Sequence, residues 1–269
     1  MTPFQAVILA LVQAATEFLP VSSSGHLILA PRLLGWSDQG LEFDIATNTG
    51  TLIAVLAYFR RDLAEIARGW LASFRPGGAG ACEPAARLGW ALVWGTIPAG
   101  LAGLAIKDWL ATYGREPRLI ATTAIVYGLL LGLADRFGRR QSGLGAIGRR
   151  EGLLIGCAQA LALVPGTSRS GVTMSAALAL GLERGAAARF SFLLSVPIGL
   201  LVGAKQLVDF ARGEIAGLDG TVVLIGIAVS ALAGYAVIAG LLAWVKRRPL
   251  AVFAVYRLLL GGFLFAYFS

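Results

Sequence analysis

EFLPVSSSGH, residues 17–26, interrupts an apolar segment that otherwise runs from residue 1 to residue 35. PGTSRSG, residues 165–171, interrupts a second apolar segment, residues 152–182, in the same way. Proline and glycine break helices, and the flanking pieces are only about 10 to 16 residues long, whereas a transmembrane helix needs about 20. We therefore predict that each segment forms a re-entrant hairpin. Its irregular tip must then be buried in protein or face a wet cavity.

The composition of the 269 residues is typical of an integral membrane protein. Hydrophobic residues make up 57% of the chain, charged residues make up 14%, and the mean hydropathy is +0.75. These values exclude a soluble globular domain. The net charge of +8 does not indicate nucleic acid as a partner, because the basic residues form short clusters between apolar runs, as in the loops of membrane proteins.

Outside the hairpins, runs poor in charge predict six transmembrane helices in an all-α fold. They are predicted at residues 43–59, 88–106, 119–134, 190–208, 220–245 and 250–269. The last of these contains Arg257 at membrane depth. Cys82 and Cys157 have neither a disulfide framework nor a metal spacing, so both are predicted to be free.

The two hairpin segments resemble each other at an offset of 146 residues. The identities are Gln13-Ala14 with Gln159-Ala160, Ser22 with Ser168, Ser24 with Ser170, Gly25 with Gly171, and Leu34-Gly35 with Leu180-Gly181. Each hairpin precedes three spans, which is an odd number, so the second copy enters the membrane from the opposite side. We therefore predict one membrane domain, residues 1–269, built as an inverted-topology repeat of residues 1–135 and 147–269.

Arginine-rich loops predict the orientation of the chain, because cytoplasmic loops carry an excess of Lys and Arg. Three such loops contain Arg60, Arg61, Arg68, Arg75 and Arg87; Arg136, Arg139, Arg140, Arg149 and Arg150; and Lys246, Arg247 and Arg248. With these loops in the cytoplasm, the first hairpin enters from the outer face and the second from the inner face. Their tips would meet near the midplane.

Polar residues are concentrated at the two tips. The first tip holds Glu17, three serines and His26, and the second holds Arg169 with further hydroxyls. A charge at the bilayer centre costs at least about 2.5 to 3.5 kcal/mol, so Glu17 and Arg169 need partners or water. Three structural interpretations remain open: an ion pair joining these two residues, a packing role for His26, and helix capping by the serines.

A helix is predicted after each tip, at about residues 26–35 and 172–181. Their N-terminal amides and dipoles, together with Arg169, predict an anion site, most naturally for phosphate or diphosphate. Glu17 would repel such an anion unless it binds a divalent cation, because Mg²⁺ prefers carboxylates and phosphate oxygens as ligands. Gln13 lies one helical turn before Glu17 and so faces the same site.

With these motifs the chain resembles the undecaprenyl-diphosphatase family, the bacitracin-resistance phosphatases of UppP/BacA type. Residues 17–26 and 165–171 carry the resemblance, supported by Phe190-Ser191-Phe192-Leu193-Leu194, Pro197 and Tyr256-Arg257. It implies a bacterial inner-membrane hydrolase that converts undecaprenyl diphosphate to undecaprenyl phosphate and inorganic phosphate. This reaction would recycle the lipid carrier of peptidoglycan and other cell-wall polymers and confer bacitracin resistance. The resemblance also implies a divalent cation (Mg²⁺ or Ca²⁺), an active site open to the periplasmic face, and a homodimer.

Residue roles follow from the resemblance. It implies that Glu17 is the metal-site carboxylate, Ser23 the nucleophile, His26 its acid/base partner and Arg169 the diphosphate clamp. The implied diphosphate-binding set is Ser22, Ser24, Gly25, Thr167, Ser168, Arg169, Ser170 and Gly171. Gln13, the second metal candidate, stands where many members have Glu, so a second carboxylate ligand is absent. Asn48 and Arg257 are candidates of second rank, for which a structural role is equally open.

A transporter or flippase for an anion or a prenyl phosphate lipid is the alternative function, because inverted repeats are common in transporters. A nucleophile and a proton donor beside an anion site are unnecessary for transport. The sequence therefore favours the enzyme.

Overall fold

The computed structural model describes residues 1–74, 83–106, 116–212 and 219–268. Cys82 and Arg75, which the sequence places in a cytoplasmic loop, lie outside the described residues. Within these ranges the chain is helical, with a 3₁₀ turn at Leu144–Ala146. The α-helices are α1 Pro3–Phe18, α2 Ser23–Leu34, α3 Gly40–Tyr58, α4 Arg60–Ala72, α5 Pro84–Ala105, α6 Pro117–Phe137, α7 Arg149–Leu161, α8 Arg169–Ala179, α9 Arg184–Ala211, α10 Gly220–Val245 and α11 Ala251–Tyr267.

The first hairpin consists of α1 and α2. The Thr2 side chain caps the start of α1, and α1 stops before Leu19 because the residue preceding a proline, here Pro20, disfavours the helical conformation. Leu19 is accordingly extended, with φ −66° and ψ 143°. Ser22 then has φ +78°, and its hydroxyl accepts a hydrogen bond from the amide of Gly25 at 3.5 Å. This serine cap turns the chain into α2.

The second hairpin, α7 and α8, has a tip of the same local geometry. Ser168 has φ +70°, and its hydroxyl accepts a hydrogen bond from the Gly171 amide at 3.2 Å. The Ser22 and Ser24 hydroxyls lie 3.3 Å apart, and so do those of Ser168 and Ser170. The two tips therefore correspond at the 146-residue offset, while the inverted repeat of the whole chain stays a prediction.

The helices that follow the tips begin three residues earlier than predicted from the sequence. α2 begins at Ser23 and α8 at Arg169, rather than at residues 26 and 172. The reason is that one serine of each tip, Ser22 or Ser168, acts as the cap, which leaves the remaining polar residues inside the first helical turn. The capping interpretation is thus correct for these two serines.

The predicted spans are present as helices. Among the described residues, α5, α6, α10 and the Arg184–Gln206 part of α9 are long and apolar enough to cross a membrane. The other two predicted spans are α3, with 19 residues and Glu42 in its first turn, and α11, with 17 residues. Large apolar side chains point outward, for example Leu104 and Leu232, which are 80% and 76% exposed. Such a surface suits lipid, and the chain is an integral membrane protein.

One segment predicted as an inter-span loop contains a helix. α4 follows α3 directly and packs against α5, burying Ile66 and Gly69. Its apolar residues Leu63, Ile66 and Trp70 have helical spacing, a signal hidden by the surrounding arginines.

The two halves of the chain pack against each other rather than separately. α1 and α3 contact α10, α5 contacts α7, and α6 contacts α11. Glycines allow the closest of these approaches: a Cβ atom on Gly152 or Gly156 would lie 2.3 Å from the carbonyl oxygen of Ala91 or Gly95. Small residues let helix backbones approach in this way in membranes, so the two halves share closely packed helix–helix contacts.

Ionic contacts join several helices at one end of the bundle. Arg184 donates two hydrogen bonds to Asp135, at 2.5 and 3.1 Å, and the Leu250 amide donates a third at 2.9 Å. Arg189 pairs with Asp62. The start of α9, the end of α6, the start of α4 and the residue before α11 therefore meet at the same end as the basic clusters.

Candidate functional site

Arg257 holds the two hairpin tips together. Its side chain is fully buried and donates to four backbone carbonyl oxygens. Two belong to the tips, Pro20 at 3.4 Å and Gly166 at 2.8 Å, and two belong to α6, Thr123 and Ala124, each at 3.2 Å. A buried cation needs such acceptors. Arg257 is thus a structural brace of the site.

Side chains complete the contact between the tips. The Thr123 hydroxyl donates to the Pro165 carbonyl at 2.8 Å, the Ser24 hydroxyl accepts from the Gly166 amide at 3.4 Å, and the Ser170 hydroxyl donates to the Leu19 carbonyl at 3.1 Å. The tips therefore meet, as the sequence predicts.

Glu17, Arg169 and Ser23 form the charged centre of the site. Arg169 Nη2 lies 2.7 Å from Glu17 Oε1, and the Ser23 hydroxyl donates to Glu17 Oε2 at 2.7 Å. The Arg169 guanidinium also donates to the Ser191 carbonyl at 3.2 Å. The ion pair considered from the sequence is thus present, but its side chains are still 18% and 19% exposed. An ion pair that only joined helices could be fully buried, whereas the Glu17–Arg169 pair stays accessible to a ligand.

Gln13 and Asn48 extend the centre on the α1 and α3 sides. Gln13 Nε2 donates to Asn48 Oδ1 at 2.8 Å and to Glu17 Oε2 at 3.4 Å. The other amide atom of Gln13, Oε1, is buried and has no hydrogen-bond partner. A buried polar atom without a partner is unfavourable, so Gln13 Oε1 is an open acceptor beside the only carboxylate of the centre.

A cavity of about 400 Å³ opens beside this centre. Glu17, Arg169 and Asn48 form its polar end. The rest of the wall is contributed by α1, α3, α9 and the residues after α7. It is mostly apolar, with Phe18, Leu52, Val55, Ala162, Leu163, Ile198, Gly199, Val202 and Gly203, and it also includes Thr49, Thr51, Ser195 and Gln206. The cavity therefore combines the charged pair of Glu17 and Arg169 with a wall that is mostly apolar.

Several residues predicted to bind diphosphate have partners within the fold. Ser22 and Ser168 cap α2 and α8 and occupy the amides of Gly25 and Gly171. Ser170 is fully buried and donates to the Leu19 carbonyl oxygen, whereas Thr167 is fully buried and its hydroxyl has no hydrogen-bond partner. Of the predicted set, Arg169 and Ser24 are the accessible ones, and Ser23 lies beside them. Fewer residues than the sequence predicts are therefore free to bind an anion, because the Ser168 and Ser170 hydroxyls make hydrogen bonds within and between the tips.

His26 does not approach Ser23 as predicted. Its Nδ1 atom lies 2.7 Å from the Ser22 carbonyl oxygen, and its Nε2 atom lies 2.5 Å from the Tyr256 hydroxyl. The first turn of α2 thus directs the imidazole to the backbone of the preceding tip and to α11. In this arrangement the proton acceptor of Ser23 is Glu17.

The residues fit a divalent cation in part. Glu17 offers a carboxylate, and the unpartnered Gln13 Oε1 and the amide oxygen of Asn48 are neutral oxygen donors of the kind found around Mg²⁺ and Ca²⁺. No group of three or more His, Cys, Asp or Glu side chains occurs among the described parts of the chain. Any cation here would therefore need ligands from substrate or water.

Two residues of the site received no role from the sequence. Thr123 lies inside a predicted span, and Tyr256 belongs to the Tyr256-Arg257 motif that supports the family resemblance. A polar residue at membrane depth is itself a signal of function or of pairing. Their partners come from segments distant in sequence, so spacing alone could not assign them.

Fold and site together define a helical integral membrane protein with a charged, accessible centre where two broken hairpins meet. The family model described as Bacitracin resistance protein BacA matches residues 6–263. The chain belongs to this family.

Curated relatives cover almost the whole chain. Undecaprenyl-diphosphatase of Magnetococcus marinus is 52% identical over 264 residues, 98% of both chains. Undecaprenyl-diphosphatase 2 of Stutzerimonas stutzeri is 48% identical over 272 residues, again 98% of both. Undecaprenyl-diphosphatase 1 of Pseudoalteromonas translucida is 45% identical over 261 residues, 97% of both.

Proposed function

We propose that this protein hydrolyses undecaprenyl diphosphate to undecaprenyl phosphate and inorganic phosphate, and so recycles the lipid carrier of peptidoglycan and other cell-wall polymers. The names of the curated relatives and the family support this assignment. The family description also names bacitracin resistance.

The observation that carries the proposal is a cavity that combines the charged Glu17–Arg169 pair with a mostly apolar wall. Arg169 at the polar end suits a diphosphate, because guanidinium groups bind phosphate oxygens through charge-assisted hydrogen bonds. The apolar wall formed by α3 and α9 suits a long prenyl chain. A headgroup and a tail of this kind occur together in a prenyl diphosphate lipid.

The geometry supports the following chemistry. When diphosphate binds, its oxygens replace Glu17 as acceptors for Arg169. The Ser23 oxygen attacks the terminal phosphorus, its proton passes to Glu17 Oε2, and the bond from phosphorus to the bridging oxygen breaks, which releases undecaprenyl phosphate. Water then cleaves the phosphoserine, giving inorganic phosphate and restoring the hydroxyl. Direct attack by water at phosphorus is the competing route.

A divalent cation, Mg²⁺ or Ca²⁺, is part of the proposal. Glu17 and Gln13 Oε1 would hold it, and when bound it would neutralise charge on the diphosphate. The unpartnered state of Gln13 Oε1 supports this role.

We further propose that the protein lies in the bacterial inner membrane, as a homodimer, with the site open toward the periplasm. The orientation rests on the basic clusters, which α4, α6 and α9 bring to one end through the Arg189–Asp62 and Arg184–Asp135 contacts. Positive residues favour the cytoplasmic side.

Phosphate release from undecaprenyl diphosphate by the purified protein tests the function. We expect turnover in detergent and in liposomes without any gradient, and loss of turnover with a chelator that added Mg²⁺ or Ca²⁺ reverses. Liposomes that translocate a prenyl phosphate while releasing no phosphate from the diphosphate would instead support the transporter. Turnover unaffected by chelator would contradict the cation.

A further inference from the structure

His26 has a partner at each ring nitrogen. Nδ1 lies 2.7 Å from the carbonyl oxygen of Ser22, four residues earlier. A carbonyl oxygen can only accept a hydrogen bond, so Nδ1 must carry a proton. In the neutral imidazole the lone pair is then on Nε2, because only one ring nitrogen is protonated.

Tyr256 on α11 lies within hydrogen-bond distance of Nε2, which carries that lone pair. Its hydroxyl lies 2.5 Å from Nε2, and the two rings are nearly parallel, at 12°, with centroids 5.7 Å apart. When only Nδ1 is protonated, the Tyr256 hydroxyl must donate a hydrogen bond to Nε2. When the imidazole is doubly protonated, the hydroxyl oxygen can accept a hydrogen bond from Nε2 instead. The ring plane and the tautomer of His26 are thus fixed from both sides.

We infer that Tyr256 is a positioning residue for His26: its hydroxyl donates to Nε2 and orients this proton-exchanging atom, while the Ser22 carbonyl oxygen sets the Nδ1–H tautomer. Nothing else among the described contacts orients Nε2. Any proton that His26 takes up or releases during turnover moves at Nε2, beside the Tyr256 hydroxyl, and not at the side facing Ser22. The effect of Tyr256 on turnover rests on the proposed phosphatase function, whereas its hydrogen bond to Nε2 does not.

The tautomer can be measured directly because His26 is the only histidine of the chain. The protein is labelled with ¹⁵N-histidine, purified through a tag without histidine, and studied by NMR in lipid nanodiscs. We expect one imidazole with a protonated Nδ1 and an unprotonated Nε2 at neutral or mildly alkaline pH. Tyr256→Phe should move the Nε2 resonance and leave the protonated Nδ1 in place. A proton on Nε2 with bare Nδ1, or an unchanged spectrum in the variant, would overturn the inference.

Kinetics supply the second readout. Tyr256→Phe keeps the ring and removes the hydroxyl, so kcat should fall about three- to tenfold, the effect of one lost hydrogen bond, while KM stays within about twofold. The matched control is Tyr267→Phe at the end of the same helix, 11 residues beyond Tyr256, where the side chain is exposed. This variant should keep normal kcat. Equal kcat in both variants, or a change in KM alone, contradicts the inference. An inactive wild-type protein with the expected spectrum would instead refute the phosphatase.

Discussion

Glu17 and Arg169 are partners in the structure but have different proposed tasks, so their losses should differ in kind. Glu17→Gln should lower phosphate release by at least about 100-fold, because it removes the only carboxylate of the centre and one acceptor of Ser23. Added Mg²⁺ should not restore it.

Arg169→Ala should in addition weaken binding of a non-hydrolysable prenyl diphosphate about 10- to 100-fold, the range for hydrogen bonds to charged groups. Both effects are measured by phosphate release and by a binding titration. Near-normal turnover in either variant would show that the Glu17–Arg169 contact is only a structural ion pair.

Gln13 offers a sharper test of the cation. Gln13→Glu would place a second carboxylate beside Glu17 and replace the amide that now donates to Glu17 and Asn48. We expect turnover of this variant to depend more steeply on cation concentration, because two carboxylates repel each other unless a cation lies between them. The measurement is a Mg²⁺ titration of phosphate release, and an unchanged titration would exclude Gln13 from the cation site.

Ser23 distinguishes attack by serine from attack by water. Ser23→Ala should be essentially inactive if the serine is the nucleophile, whereas loss of one hydrogen bond costs only about 0.5 to 3 kcal/mol. The neighbour Ser24→Ala is the control and should retain measurable activity. Ser22→Ala should also stay active but lose about 0.5 to 2 kcal/mol of stability, because Ser22 caps α2.

Phosphate release and an acid quench with terminally labelled substrate check this prediction. His26→Ala, if it slows breakdown of the intermediate, should yield phosphate bound to Ser23. Substantial turnover in Ser23→Ala would leave water, or His26 itself, as the attacking group.

The sequence is informative about the site where a residue type is costly in a membrane. Glu17, Arg169 and His26 could be singled out for that reason, and the structure brings Glu17 and Arg169 together. The sequence could not show that the His26 imidazole turns toward Tyr256, because that contact joins residues 230 positions apart. Nor could it separate serines that bind from serines that cap, because both uses favour the same residue.

At the scale of elements, the second tip depends on Gly166. Its φ is +86°, and a Cβ atom there would lie 2.0 Å from the Thr123 hydroxyl and 2.7 Å from the Ile120 carbonyl oxygen. Gly166→Ala should therefore lower the free energy of unfolding by about 2 to 5 kcal/mol, from backbone strain and overpacking. It should also lower turnover, because the Gly166 carbonyl oxygen accepts a hydrogen bond from the Arg257 brace.

Thermal unfolding in detergent measures the effect. The control is Gly185→Ala in the first turn of α9, where a Cβ atom meets nothing within 4 Å, and its unfolding temperature should stay near that of the wild type. Equal unfolding temperatures for the two variants would contradict the importance of the tip.

Element boundaries show where sequence reasoning succeeds and fails. The breaks at Pro20 and Pro165 were predictable because proline ends helices for a local steric reason. The start of α2 at Ser23 was not, because the positive φ of Ser22 is a conformation that a non-glycine residue rarely adopts. α4 was missed because its charges outweigh its apolar residues in any average over the segment.

At the scale of the whole molecule, Cys82 reports the orientation of the chain. It belongs to the segment between α4 and α5, which the sequence predicts to be a cytoplasmic loop. A thiol reagent that cannot cross membranes should leave Cys82 unlabelled in intact cells and label it after lysis. The experiment uses a Cys157→Ala background, because Cys157 is a free, exposed thiol in α7. Labelling without lysis would invert the proposed topology.

The packing of each half against the other also has a consequence for synthesis on the ribosome. Residues 1–135 enter the membrane before α7, α10 and α11 have been translated, so α1 and α5 at first lack the helices against which they finally pack. The carboxylate of Glu17 is likewise made before its arginine partner, 152 residues later. An unpaired charge favours water. We therefore expect the first hairpin to wait at the membrane surface and to enter only when the last helices arrive, which makes completion of the C-terminus the step that commits the nascent protein to its final structure.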